Sequence, residues 1–167
     1  SGLAKAVHGS GPAILPTATS PSMPITGPDS DPDTAVPILL VAAVALVDID
    51  GRVLIAQRPE GKAMAGLWEF PGGKVEGNET LEQCLIRELK EELDIDVTQA
   101  CLAPFTFASH AYEDFQLLMP LFVCRVWQGN LRPREGQAVK WLHPMRMGDL
   151  PMPPADRPLV AMLRDLL

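Results

Sequence analysis

Glu88, Glu91 and Glu92 stand at i, i+3 and i+4. In a helix that spacing puts three carboxylates on one side, within a turn of each other. Like charges so close repel, and oxygen donors of this kind suit a hard divalent cation, Mg²⁺ or Mn²⁺. The surrounding stretch, residues 73–95, carries seven acids against three bases. The plainer alternative is a solvated acidic face, salted by Arg87 four residues before Glu91 and by Lys90. Two features upstream weigh against it: Glu79 adds another carboxylate, and Pro71-Gly72-Gly73 reads as a sharp turn.

The elements around this cluster follow from hydrophobic periodicity. Leu81, Leu85, Leu89 and Leu93 recur at i+4 with Cys84 alongside, which predicts a helix over residues 80–93 with one apolar stripe. That stripe lies mainly opposite the glutamates, so the helix can pack and bind at once. Asn78 or Thr80 is placed to cap it. Before it, residues 38–50 read as a buried strand, Asp50-Gly51 as a hairpin turn and residues 52–57 as the returning strand. A loop over 58–66 leads into the short apolar piece Leu67-Trp68-Glu69-Phe70. After it, residues 102–111, 115–127 and 138–142 read as strands, and 156–167 as a second amphipathic helix. The order predicts a mixed α/β fold with a sheet between helices.

Residues 1–37 differ from the rest: twenty of the thirty-seven are Pro, Gly, Ser or Thr, and none is aromatic. Such a segment buries little and is expected to be an irregular tail, with the domain over 38–167. The net charge of −7 disfavours a nucleic-acid polymer as partner. It leaves open a single nucleotide whose phosphates are neutralised by a metal. Cys84, Cys101 and Cys124 form no CxxC pair, so neither a disulfide framework nor a zinc knuckle is expected. The longest apolar run, Ile38–Val47, is ten residues, too short to cross a bilayer. No secretory pattern opens the chain, which points to the cytoplasm. His110 and His143 lack a partner at ligand spacing, and Trp68, Trp127 and Trp141 are too dispersed to form a stacking platform.

Gly73, Glu79, Arg87, Glu88, Leu89, Glu91, Glu92 and Ile95 together resemble the Nudix box, G-x5-E-x7-R-E-U-x-E-E-x-G-U with U apolar. Six fixed identities at set spacing make the signal specific. Asp94 departs, standing where the box has Gly, in a role that tolerates positive φ and that Asp fills at modest strain. The resemblance to Nudix hydrolases covers residues 38–167. It implies an α/β/α sandwich with a mixed β-sheet, and Mg²⁺-dependent hydrolysis of a nucleoside diphosphate linked to another group. It implies that Glu88, Glu91 and Glu92, with the Gly72 carbonyl, hold the metal, that Glu79 orients Arg87, and that Glu88 is the base. Lys74 then stands beside the glycine turn, either touching a phosphate or as a plain surface lysine.

The strings AQRPEG, GLWEFPGGK, REGQ and PPADRPL resemble the MutT-type branch, whose members hydrolyse 8-oxo-dGTP to 8-oxo-dGMP and pyrophosphate and so prevent mutation. By that resemblance Glu135 completes the metal and base set, and Arg58 and Phe70 line the base pocket. The plainer alternatives are an exposed loop charge at Glu135 and simple core at Phe70. Asp156 stands where that branch has an Asn that reads the oxidised purine. Asn donates and accepts, whereas ionised Asp only accepts. A pyrimidine-directed relative acting on CTP and methylated dCTP has Asp there, so both bases stay open. Asp156 could instead cap the last helix. Tyr112 is a weak pointer to dinucleoside polyphosphates. A non-catalytic nucleotide-sensing module is the rival class, although the box glutamates are all present. The expected partner is a nucleoside triphosphate, with no membrane and a monomeric or weakly dimeric state.

Overall fold

The computed structural model describes residues 35–167; most of the tail expected over 1–37 lies outside the described residues. The chain runs β1 (Ile38–Leu46), β2 (Val53–Gln57), β3 (Trp68–Glu69), β4 (Gly72–Lys74), α1 (Leu81–Leu93), β5 (Ala103–Ala111), β6 (Gln116–Cys124), β7 (Ala138–Leu142) and α2 (Asp156–Leu166). Short 3₁₀ turns lie at Gln99–Cys101 and Pro144–Arg146.

The strands divide into two sheets rather than the single one expected. One is four-stranded and mixed, in the order β4-β1-β6-β5, and the other is three-stranded, in the order β3-β2-β7. β1 runs parallel to β6 and antiparallel to β4. β1 is the centre of the molecule because both of its faces are apolar. Ala42, Val44 and Leu46 pack with Leu85, Leu89 and Leu93 of α1. Ala43, Ala45 and Val47 pack with Leu159, Val160 and Leu163 of α2. The three α1 leucines are fully buried, each contributing about 1.5–3 kcal/mol by burial. The helices thus cover opposite faces, as an α/β/α sandwich requires.

The expected turn at Pro71-Gly72-Gly73 is instead the start of a strand: Gly72 and Gly73 pair with Ala43 and Ala42 of β1. The glycines serve close approach. Gly72 has φ +154°, and a Cβ there would overlap the Ala42 carbonyl, while one on Gly73 would collide with the Glu88 carboxylate. Trp127 and Trp141, expected to be dispersed, stack with ring centroids 5.9 Å apart, because the fold returns the chain past itself. His110 packs edge-on against Tyr112. Among the described residues no helix is long and apolar enough to cross a membrane.

Candidate active site

α1 is fixed at both ends, which sets where its carboxylates point. Thr80 is its N-cap: its Oγ1 accepts from the Gln83 amide at 3.1 Å, and its own amide donates to Gln83 Oε1 at 2.8 Å. This reciprocal pairing satisfies donors that the first turn leaves open. Asp94 closes the other end in the left-handed region, φ 57° and ψ 33°, as the departure from the box Gly predicts. The loop after β6 docks on this end: Arg132 and Arg134 amides donate to the Leu93 and Glu92 carbonyls at 2.8 and 2.9 Å. Gln137 Nε2 adds a bond to the Glu92 carbonyl at 3.1 Å and Gln137 Oε1 accepts from the Glu135 amide at 2.8 Å. Glu135 is thereby brought to the acidic face of α1, although it stands 43 residues beyond Glu92 in the chain.

Arg87 is the hub. Its Nε and Nη2 donate to the two Glu79 oxygens at 3.1 and 2.7 Å, and Nη1 donates to Glu88 at 2.9 Å. Nη1 also reaches Glu91 at 3.5 Å, and Nη2 donates to the Lys74 carbonyl at 3.2 Å. The planar fork suits this bidentate arrangement. The hydrogen bonds from Arg87, with one from the Glu76 amide at 2.8 Å, hold the Glu79 carboxyl down at about 2. The Glu79 carboxylate in turn raises Arg87 well above its ordinary value. Burial pushes the neighbouring Cys84 thiol up to about 12, so it stays neutral behind β4.

Glu92 is in the opposite situation. Burial, and then the carboxylates of Glu88, Glu135 and Glu69, hold its carboxyl well above the usual range. Burial and the neighbouring carboxylates thus disfavour the charged form of Glu92. Among the described residues no three acidic, His or Cys groups already converge on one metal-ligating point; Glu79, Glu88 and Glu91 are drawn instead toward Arg87.

Two cavities share Arg58, Glu69, Phe70 and Gly72 in their walls. The smaller, about 100 Å³, also has Lys62, Glu92, Glu135 and Gln137. The larger, about 840 Å³, extends past Gly73 and Lys74 to Asp156. Phe70 is both core and wall, at 5 % exposure. Lys74 is exposed at the larger cavity's edge. Arg58 donates to Glu69 at 3.1 Å and to the Ala63 carbonyl at 2.7 Å. Asp156 is not the cap of α2. Ala155 holds that position, and Asp156 is the first helical residue, 3 % exposed. Burial, with Glu69 adding to it, pushes its carboxyl up to about 8.

Glu69 was not anticipated from the sequence. Burial raises its carboxyl while Arg58 and Lys62 oppose the shift. The available signal was a charge between two large aromatics, Trp68 and Phe70, which needs a partner or a polar cavity.

The family model for the NUDIX domain matches residues 42–162. The chain belongs to that family. It is similar to the CTP pyrophosphohydrolase of Escherichia coli strain K12, at 40 % identity over 73 % of this chain and 89 % of that protein. It is 44 % identical to the 8-oxo-dGTP diphosphatase of Proteus vulgaris over 59 % of this chain and 86 % of that protein. Among solved structures it resembles MutT from Aliivibrio salmonicida and Vibrio cholerae, with a TM-score of 0.66 and 30 % identity, covering 78 % of this chain and 99 % of that one. The chain is a Nudix pyrophosphohydrolase of MutT type. Such enzymes act on nucleotides and generally use divalent metals.

Proposed function

We propose that this Nudix enzyme hydrolyses 8-oxo-dGTP to 8-oxo-dGMP and pyrophosphate with Mg²⁺, removing an oxidised nucleotide from the pool before it is copied. The observation that carries the reading is Asp156 in the wall of a cavity of about 840 Å³, large enough for a purine. With its carboxyl pushed up to about 8, it is mostly protonated at neutral pH. A protonated carboxyl offers one donor and one acceptor, the same pair an Asn amide presents. The substitution of Asp for Asn in the MutT-type pattern thus leaves the hydrogen-bonding pattern intact. Oxidation at C8 turns N7 of guanine from an acceptor into a donor, so an acceptor facing N7 favours the oxidised base and repels the normal one. The cavity of about 840 Å³ has room for a two-ring base beside Phe70.

The acidic face fits a hard cation by the chemistry of its donors. Glu88, Glu91, Glu92, Glu135 and the Gly72 carbonyl offer oxygen only, the donor type a hard divalent cation takes. When bound, a divalent cation neutralises phosphate charge and lowers the pKa of a water. Glu88, oriented by Arg87, takes the proton from the attacking water. Attack at the β-phosphorus breaks its bond to the α-bridging oxygen and releases the nucleoside monophosphate and pyrophosphate. Arg58 and Phe70 hold the base, and Lys74 contacts the phosphate chain.

A second reading, a cytosine nucleotide as substrate, is supported by the similarity to a CTP pyrophosphohydrolase. A protonated Asp156 also complements N3 and the 4-amino group of cytosine. The test is kcat/KM with Mg²⁺ for 8-oxo-dGTP, dGTP, CTP and 5-methyl-dCTP. The proposal expects 8-oxo-dGTP to exceed dGTP by at least about 100-fold, the discrimination available where a polar group would be left mispaired. A cytosine nucleotide at the head of the series would overturn it in favour of the second reading.

A further inference from the structure

We propose that Lys62 is a substrate-positioning residue that changes partner during turnover, from Glu135 in the empty site to the phosphate chain of the nucleotide in the loaded one. The inference rests on the reading of the acidic face given above. Lys62 Nζ lies 3.9 Å from Glu135 Oε2, with the two side chains 55 % and 43 % exposed. Both line the smaller cavity together with Glu92. A half-exposed pair at this distance contributes about 0–1 kcal/mol, so it exchanges easily. Two neighbouring arginines already hold carboxylates. Arg58 is bonded to Glu69 and to the Ala63 carbonyl, and Arg87 to Glu79 and Glu88.

The segment carrying Lys62 is built to let it move. Residues 60–65 are exposed, and Gly61 and Gly66 hold φ of +87° and +84° with open space around them. Its base is pinned by the Arg58 amide on the Leu67 carbonyl at 2.9 Å and the Gly66 amide on the Arg58 carbonyl at 3.0 Å. A pinned base and an exposed tip let the ammonium swing without disturbing β2. Once Glu135 takes part in holding a cation, its pairing with Lys62 weakens, and a polyphosphate is the stronger partner for a compact ammonium charge.

The test uses the full chain and the variants Lys62→Gln and Lys62→Arg. Three quantities are measured: Mn²⁺ affinity without nucleotide, affinity for a non-hydrolysable α,β-imido triphosphate, and kcat and KM on the hydrolysable substrate. Lys62→Gln is expected to weaken the analogue and raise KM by about tenfold, with kcat changing far less. Mn²⁺ affinity without nucleotide stays equal or tightens, because a competing cation has gone. Lys62→Arg recovers most of the nucleotide affinity. Unchanged analogue binding in Lys62→Gln overturns the proposal. So does a parallel loss of Mn²⁺ affinity, which would make Lys62 only a prop for Glu135. A wild-type chain that neither binds nor hydrolyses any nucleoside triphosphate overturns the reading of the site itself.

Discussion

Glu79 and Asp156 are both carboxyls near one active site, and the fold drives them in opposite directions. Glu79 sits in the fork of Arg87, at 2.7 and 3.1 Å, and is held down at about 2. Asp156 sits at the start of α2, 3 % exposed, with Glu69 as the nearby charge that affects it, and is pushed up to about 8. At the α1 end a partner fixes the charge, so ionisation is settled across the physiological range. At the α2 end burial fixes the proton, so the carboxyl behaves as a neutral donor–acceptor near pH 7. The first arrangement suits handling of phosphate charge, and the second suits reading the polar edge of a base.

The largest effect should come from removing charge at the α1 end. Glu92→Gln, and likewise Glu91→Gln, is expected to lower kcat by about 10³-fold or more, as loss of a group that holds the charge-neutralising cation does. The fold should survive, because neither side chain belongs to the buried apolar stripe of Leu85, Leu89 and Leu93. Circular dichroism and melting temperature check the fold, and steady-state rates under limiting Mg²⁺ check the loss. Near-wild-type turnover in both variants would mean that the acidic face is merely solvated and that the contrast with Asp156 has no functional content.

A smaller effect separates the two carboxyls directly through the pH dependence of stability. Glu79 has a folded value of about 2 against an ordinary 4.5. Its contribution is complete above 4.5 and is lost as pH falls toward 2, since the unfolded chain then binds the proton first. Glu79→Gln should therefore melt below the parent at pH 7, with the gap closing on acidification toward pH 2–3. Asp156 has a folded value of about 8 against an ordinary 3.8. Between those values the folded state holds a proton that the unfolded state has released, so its contribution falls as pH rises. Asp156→Asn should gain on the parent steadily from pH 5 to pH 8. Melting curves of the three proteins from pH 2 to pH 8 decide it, and parallel profiles for the two variants would erase the distinction.

The α1 end was largely legible in the sequence and the α2 end was not, for a physical reason. Helical spacing converts directly into a shared face, so Glu88, Glu91, Glu92 and the leucine stripe could be placed by counting, and the cap narrowed to Asn78 or Thr80, of which Thr80 holds it. β1 was found as a continuous apolar run and β2 by alternation after Asp50-Gly51, while β3 and β4 were not read as strands. Pairing was not legible: nothing local distinguishes glycines that make a turn from glycines that let β4 approach Ala42 and Ala43. The same limit hid Glu69, whose carboxyl meets Arg58 eleven residues away across a strand pairing. It also left Asp156 open as a helix cap, because its burial depends on α2 closing over a distant sheet.

The smallest effect is expected at Asp94, and it tests whether ion pairing at the α1 end matters in general or only through Arg87. Asp94 pairs with Lys90 at 3.3 Å and with Arg134 at 3.5 Å, all three side chains being at least one-third exposed. Exposed pairs of this kind contribute about 0–1 kcal/mol each. Its backbone, at φ 57°, is one that Gly adopts without the strain an L side chain carries. In Asp94→Gly the relief of that strain opposes the loss of the pairs and the greater freedom of the unfolded chain. The net change in stability should be within about 0.5 kcal/mol, typical of surface positions, and kcat should stay within twofold. A tenfold fall in kcat would show that the loop carrying Glu135, which docks on this end of α1, needs Arg134 tied to Asp94. The division would then lie between a whole charged network and a buried carboxyl, rather than between one arginine fork and one proton.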